Sequence, residues 1–365
     1  MRSFGGWGII VAVQHPDFSP MSSVPLRRRR FGVWAAVAAA GAVLPAVRAA
    51  QPARVTVAVG GQGVLYHLPL SIAQQLGFFA AEGLDVTVRD YAGGALALQA
   101  VQAGAADVCS GAYEHTLRMQ GLGQLYQAFV LQGRAPQLAL GVSRRALPRY
   151  RQWGDLKGRR VGVSAPGSST HLVASMVLAR AGLRDGDVAF VGVGSGEGAL
   201  AALRSGMVHA LCHADPLMTM LEQRSEVQLL SDMRTLKGAQ DIFGGPMPAG
   251  CLYAPQTFLQ KHPVQAQALA NGIVRALKWL QTAAPGDLLK AVPPGYLLGN
   301  RGLYLAAFGK MRDTISPDGL MPEEGPATAL RALAQIRPEL GGGRVDLART
   351  FTNEFARKAK RQFDA

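Results

Sequence analysis

Ser164, His171 and Asp215 are the residue types of a serine hydrolase triad, and Ser164 lies in the stretch Val161–Val173, VGVSAPGSSTHLV. A nucleophile elbow needs G-x-S-x-G, with the serine on a tight turn. Here Gly162, Ser164 and Gly167 form G-x-S-x-x-G, one residue too long, and Pro166 fixes the backbone inside the turn. A phosphate loop would need G-x-x-x-x-G-K-[ST], and no lysine is in place. His209, Cys212 and His213 suggest a metal, but H-x-x-C-H on one strand divides its side chains between opposite faces. Ser168, Ser169 and Thr170 stand where a helix begins. One of them is expected to cap it. The free N–H groups and positive dipole end there suit an anionic or polar ligand group.

The elements that position these residues follow from two alternating periods. VTVAV (Val55–Val59) reads as a strand, and the segment after Pro69, with Ile72, Leu76 and Phe79 on one face, reads as a helix ending near Gly83. LDVTVRDY, GGALALQAVQAG and ADVCSG continue the pattern as strand, helix and strand. The unit then recurs from RRVGVSA to VHALCHADP. At an offset of 102 positions, Gly94, Ala97, Leu98 and Gly104 fall on Gly196, Ala199, Leu200 and Gly206. Two α/β lobes in tandem result, each a mostly parallel sheet flanked by helices. Ligands of such sheets bind at the C-terminal edge of the strands, which predicts a cleft between the lobes. The last third reads as helical, with Leu269, Ile273, Ala276, Leu277 and Leu280 at helical spacing.

The cleft loops pair up by position. GGQGVLYHLPL places Tyr66 and His67 just ahead of the first helix, opposite Ser168, Ser169, Thr170 and His171. Gly93 and Gly94 correspond to the GSGEG loop, Gly194–Gly198. After the third strands come Tyr113, Glu114 and His115 in one lobe and His213 and Asp215 in the other. Glu114 and Asp215 would pair with an amine or amidine on the ligand.

Charged residues are 17% and apolar residues 48% of 365, the balance of a globular chain. The formal charge is +14, and without residues 1–49 there remain 32 basic against 23 acidic residues. These cations look scattered. The one run, RKAKR (Arg357–Arg361), reads as a solvated helix face rather than a nucleic-acid site. Cys109, Cys212 and Cys251 are too few for a disulfide framework, and Cys109 and Cys212 read as buried. Arg27–Arg30, an apolar run to Leu44 and a small-residue end have the plan of an export signal over 1–49, cut near Ala49. Arg28, Arg29 and Phe31 fit a twin-arginine pattern, and Met21 is a candidate start.

GFFAAEGLDV, AGAADV, LKGRRVGVSAPGSSTH and ALRSGMVHALCHADP, with the tail HPVQAQALANGIVRALKWL, resemble the nitrate/sulfonate/taurine and thiamine-precursor binding proteins of ABC importers. The resemblance runs from about residue 54 to the end. It implies a two-lobed periplasmic-binding-protein fold with lobe one at 52–143 plus 240–365 and lobe two at 144–239. It implies a monomeric periplasmic receptor that closes on a small molecule and docks on an inner-membrane permease, without catalysis, cofactor or nucleic acid. Its contacts, carried over by position, are Tyr66, His67, Gly93, Gly94, Tyr113, Glu114, Ser168, Ser169, Thr170, His171 and Asp215. The alternatives are a thiamine-precursor synthase-like enzyme using His67, His115 or His171, and a membrane-tethered sensor lobe.

Overall fold

The computed structural model describes residues 51–184 and 186–365, and the expected export signal at 1–49 lies outside them. Ten strands follow in chain order: β1 Ala53–Gly60, β2 Leu84–Tyr91, β3 Val108–Ala112, β4 Tyr126–Leu131, β5 Leu138–Ser143, β6 Arg159–Val163, β7 Val188–Gly192, β8 Ala210–Ala214, β9 Val227–Asp232 and β10 Gly250–Pro255. They form two five-stranded sheets, ordered β2-β1-β3-β10-β4 and β7-β6-β8-β5-β9. Each sheet is mixed. β1, β2 and β3 run parallel, as do β6, β7 and β8, while β10 and β5 are antiparallel to their neighbours.

The two orders correspond, and the antiparallel strand of each sheet is the one adjoining a crossing of the chain between lobes. The 102-residue offset persists in space: β3 corresponds to β8. Gly104 and Gly206, which end equivalent helices, share left-handed φ values of 73° and 78°, a conformation glycine adopts without a Cβ penalty. One boundary moves. Leu138–Ser143, assigned to lobe one from the sequence, pairs with β8 and β9 in the second sheet. The first crossing therefore precedes Leu138, because an apolar strand carries no mark of the sheet it will join.

Alternation along β1 explains the layers. Val55, Val57 and Val59 face a core with Ile72, Leu269, Ile273 and Leu277, while Ala58 faces the opposite core. The expected first helix is broken into Leu68–Gln75 and Phe78–Ala81 at Gly77, whose φ is 69°, and this leaves Leu76 exposed. The long helix Pro263–Thr282 packs on lobe one. The helix Arg301–Met311 reaches across, with Leu303 in the second lobe's core and Lys310 paired to Glu222 at 2.8 Å. Among the described residues no helix is long and apolar enough to cross a membrane.

Candidate functional site

The strand C-termini of the two sheets meet. Leu65 N–H donates to the Asp215 carbonyl (2.8 Å), Ala95 N–H to Ser168 Oγ (2.9 Å) and Arg118 Nη1 to the Gly167 carbonyl (3.0 Å). Each bond joins one lobe to the other. Gly93 has φ 179°, extended backbone open to any residue. It is tight for another reason: a Cβ there would lie 2.9 Å from Ala165 Cβ and 2.9 Å from Ser168 Oγ. Gly61 likewise abuts Ser195.

Between these contacts lies a cavity of about 30 Å³, about the volume of one water molecule in the liquid. The structure brings Tyr66, His67, Gly94, Ser169 and Thr170 to its wall. Ser168 is the N-cap of the helix Ser169–Arg180, as the sequence suggests, yet its hydroxyl does not bond its own helix. It accepts instead from the first turn of the opposite lobe's helix Gly94–Gln102. Thr170 Oγ1 accepts from Ser164 N–H (2.9 Å) and lies 2.8 Å from Ser164 Oγ, which holds the turn shut.

Six of the expected contacts sit off the wall. Gly93 and Ser168 touch the other lobe. His171 Nδ1 accepts from Gly167 N–H (2.8 Å) and its ring packs edge-on against Phe190, so it faces its own lobe. Tyr113 is fully buried, with Oη 2.6 Å from Thr350 Oγ1, and ties down the C-terminal tail. Glu114 is buried at the start of its helix, and burial pushes its carboxyl up to about 7 against the pull of Arg118. Asp215 Oδ1 accepts from Thr219 N–H (2.8 Å) and pairs with Arg234 (3.1 Å), which also holds Asp232 and Glu222. Oδ1 is thus spent on Thr219 and Arg234, Oδ2 is buried without a hydrogen bond, and Asp215 does not line the cavity of this closed arrangement. Nor do Ser164, His171 and Asp215 form a triad, since each has a separate set of partners.

Sequence reasoning underweighted Ser195, His115 and His213, which line the cavity, and missed the wall residues Val64 and Leu138. The loops carrying both histidines were legible; which ring turned inward was not. Three imidazoles converge here. His67 Nδ1 meets Ser110 Oγ (3.1 Å), and Gln132 Nε2 donates to the same hydroxyl (2.9 Å). His115 Nδ1 meets Tyr253 Oη (2.9 Å), and His213 Nδ1 donates to the Ala214 carbonyl (3.1 Å). Burial pushes His67 and His115 down to about 3 and lowers His213, so all three are neutral. His115 Nε2, His213 Nε2 and Tyr66 Oη are buried and complete no hydrogen bond, although the Gly167 backbone, the Gly194 backbone and the Ser169 side chain respectively lie near them. Unmet buried groups of this kind are costly unless something satisfies them. No Lys, Arg, Asp or Glu is on the wall.

A larger groove of about 830 Å³ runs along the outer side of lobe one. Glu82 pairs there with Asn271 and Lys358 with Glu354, and Gln267 Oε1 is its single buried side-chain atom without a partner among the described residues. It lacks the convergent unmet atoms of the cleft.

This geometry defines a two-lobed ligand-binding fold with a polar cleft. Residues 64–283 match the NMT1/THI5-like family, and the chain belongs to that family. A solved protein from Bordetella bronchiseptica RB50 is 53% identical over 86% of this chain and 99% of its own, with a TM-score of 0.84. The alkanesulfonate-binding protein SsuA from Xanthomonas axonopodis pv. citri, bound to MOPS, is 19% identical over 84% and 100% of the two chains, TM-score 0.62. The periplasmic nitrate-binding protein NrtA from Synechocystis PCC 6803 is 14% identical over 86% and 89%, TM-score 0.63. The desulfurization enzyme DSZB also shares the fold, at 18% identity over 85% and 99% and TM-score 0.57. No curated protein sequence matches. The fold is therefore that of periplasmic binding proteins, and it is one that an enzyme also uses.

Proposed function

We propose that this protein is an extracytoplasmic solute receptor that closes on a small polar ligand and delivers it to an ABC permease. The observation that carries the reading is the sealed cleft, in which Tyr66 Oη and His115 Nε2 from one lobe and His213 Nε2 from the other complete no hydrogen bond. A ligand that satisfies groups of both lobes stabilises the closed arrangement. A cavity of about 30 Å³ is far below the size of a small-molecule site, so admission requires the lobes to part. Recognition runs through neutral groups: the hydroxyls of Ser164, Ser169, Thr170 and Ser195, the imidazoles and Tyr66. These suit a sulfonate-, taurine- or nitrate-like oxyanion held by hydrogen-bond donors, or an aminopyrimidine-like ring stacked by Tyr66. Export through the leader at 1–49 and function as a monomer complete the proposal.

A thermal-shift panel of taurine, alkanesulfonates, nitrate, aminopyrimidines and aromatic acids tests it. One class should raise Tm in proportion to concentration, by mass action. The absence of any shift, or turnover of the stabilising compound, overturns the receptor reading; turnover would place the protein with enzymes such as DSZB.

A further inference from the structure

The arginines that look scattered in the sequence gather at one place in the fold. β6, β7, β8 and β9 begin, and β5 ends, at the edge of the second sheet remote from the cleft. Arg144, Arg145, Arg149, Arg151, Arg159 and Arg160, with Lys157, are all exposed there. The described acids of this edge are already engaged. Asp155 accepts from the Arg151 and Gln152 N–H groups, Asp187 from Arg184 N–H, and Glu226 forks onto Arg204. Arg149, Arg151, Lys157 and Arg159 form no ion pair among the described residues. Arg144, Arg145 and Arg204 line a depression of about 560 Å³ beside them. Tyr150 and Trp153 are half-buried in the same loop.

We propose that this edge is a docking surface for anionic phospholipid headgroups. The cations there, Arg144, Arg145, Arg149, Arg151, Lys157, Arg159 and Arg160, outnumber the described acids Asp155, Asp187 and Glu226, so the edge is net positive along its whole length, which matches a surface of many phosphates better than a single ligand. Each Lys or Arg near an anionic bilayer contributes about 1 kcal/mol. Tyr and Trp with one polar and one apolar end are the rings that settle at headgroup level. Among the described residues the edge exposes one large apolar side chain, Met207, too few for the desolvated anchors on which protein interfaces depend. Docked this way, lobe two lies on the bilayer by its far edge, and the strand ends that meet lobe one at the sealed cleft face away from the lipid. The proposal concerns a surface away from the cleft and stands whether or not the receptor reading does.

The test is vesicle co-sedimentation of the full chain with Arg27–Arg30 changed to glutamine, so that the leader's arginines do not contribute. Binding to phosphatidylglycerol vesicles, and not to phosphatidylcholine, is expected, falling steeply with added salt. Arg149→Glu, Arg151→Glu and Arg159→Glu together should weaken it by about 100-fold or more, with the fold retained by circular dichroism. Arg357→Glu with Lys358→Glu, on the C-terminal helix, should leave it unchanged. Absent binding to the anionic vesicles, or a triple variant that binds as before, overturns the proposal. So does equal affinity for a short DNA duplex, which would make the edge a general polyanion binder.

Discussion

Replacing Gly93 with alanine should hold the cleft open while leaving both lobes folded. The new Cβ would lie 2.9 Å from Ala165 Cβ, 2.9 Å from Ser168 Oγ and 3.1 Å from Ser164 Oγ, where carbon atoms normally rest about 3.5–4.0 Å apart. Ala165 Cβ has no rotamer with which to retreat, so the relief must come from lobe separation on the order of 1 Å. That stretches the Ala95–Ser168 bond (2.9 Å) and the Arg118–Gly167 bond (3.0 Å) past useful length. A neutral hydrogen bond contributes about 1 kcal/mol and one with a charged donor about 1.5–3 kcal/mol. The closed state thus loses about 3 kcal/mol, and ligand affinity should fall roughly 100-fold. Because φ is 179°, backbone strain adds nothing; alanine is only a slightly poorer N-cap, by under about 1 kcal/mol. Labels at Leu122 and Met207, exposed on opposite lobes, would report the separation by energy transfer, and small-angle scattering would report the radius of gyration. Wild-type separation and wild-type affinity in the folded variant would refute the reasoning.

Two further outcomes follow from buried charge. Glu114 has a folded pKa raised to about 7 from an ordinary value near 4.5, so the native state holds the proton more tightly than the unfolded chain does. Its contribution is fully present below about pH 4.5 and is lost as pH rises through about 7, costing roughly 3 kcal/mol at most; Glu114→Gln should remove that slope in pH-dependent urea unfolding, and identical wild-type and variant slopes would refute it. Arg234 is fully buried against Asp215, Asp232 and Glu222. Arg234→Met strands those carboxylates, so a loss of about 3–5 kcal/mol, read as a Tm lower by roughly 5–10 °C, is expected; an unchanged Tm would show that the network is not needed.

The two-lobe architecture was legible because periodicity is local. Alternation at Val55, Val57 and Val59 and the glycines at 104 and 206 report the strands and helix ends without reference to distant residues. The cleft loops were legible for the same reason: a strand, a turn and a helix N-terminus occur in order along the chain. Tyr66, His67, Gly94, Ser169 and Thr170 reach the cavity wall because the turn geometry that places them is encoded within a few residues. The membership of β5 was not, since a strand's sheet is chosen by pairing with residues such as Ala210 and Val227 far along the chain.

Partners of charged and polar side chains depend on the same long-range geometry. From the sequence Asp215 reads as a free acid at the cleft; in the fold Arg234, just past β9, pairs with its Oδ1. From the sequence Tyr113 reads as a ligand contact; in the fold Thr350, far along the chain, lies against its hydroxyl. A cap is expected at one of Ser168, Ser169 and Thr170; Ser168 takes that position, but its hydroxyl serves the opposite lobe, a bond that exists only when the lobes meet. His171 stood next to the right turn and pointed the wrong way; His115 and His213 pointed in. The exposed arginines of lobe two lie on separate segments, and only the common starting edge of β6 to β9 makes them one surface. Propensity and pattern decided where the elements lie, because those energies act between neighbours along the chain. Which charge is spent, which is exposed and which polar atom faces the cleft were decided by tertiary structure, because electrostatic and hydrogen-bond energies depend on distance in space.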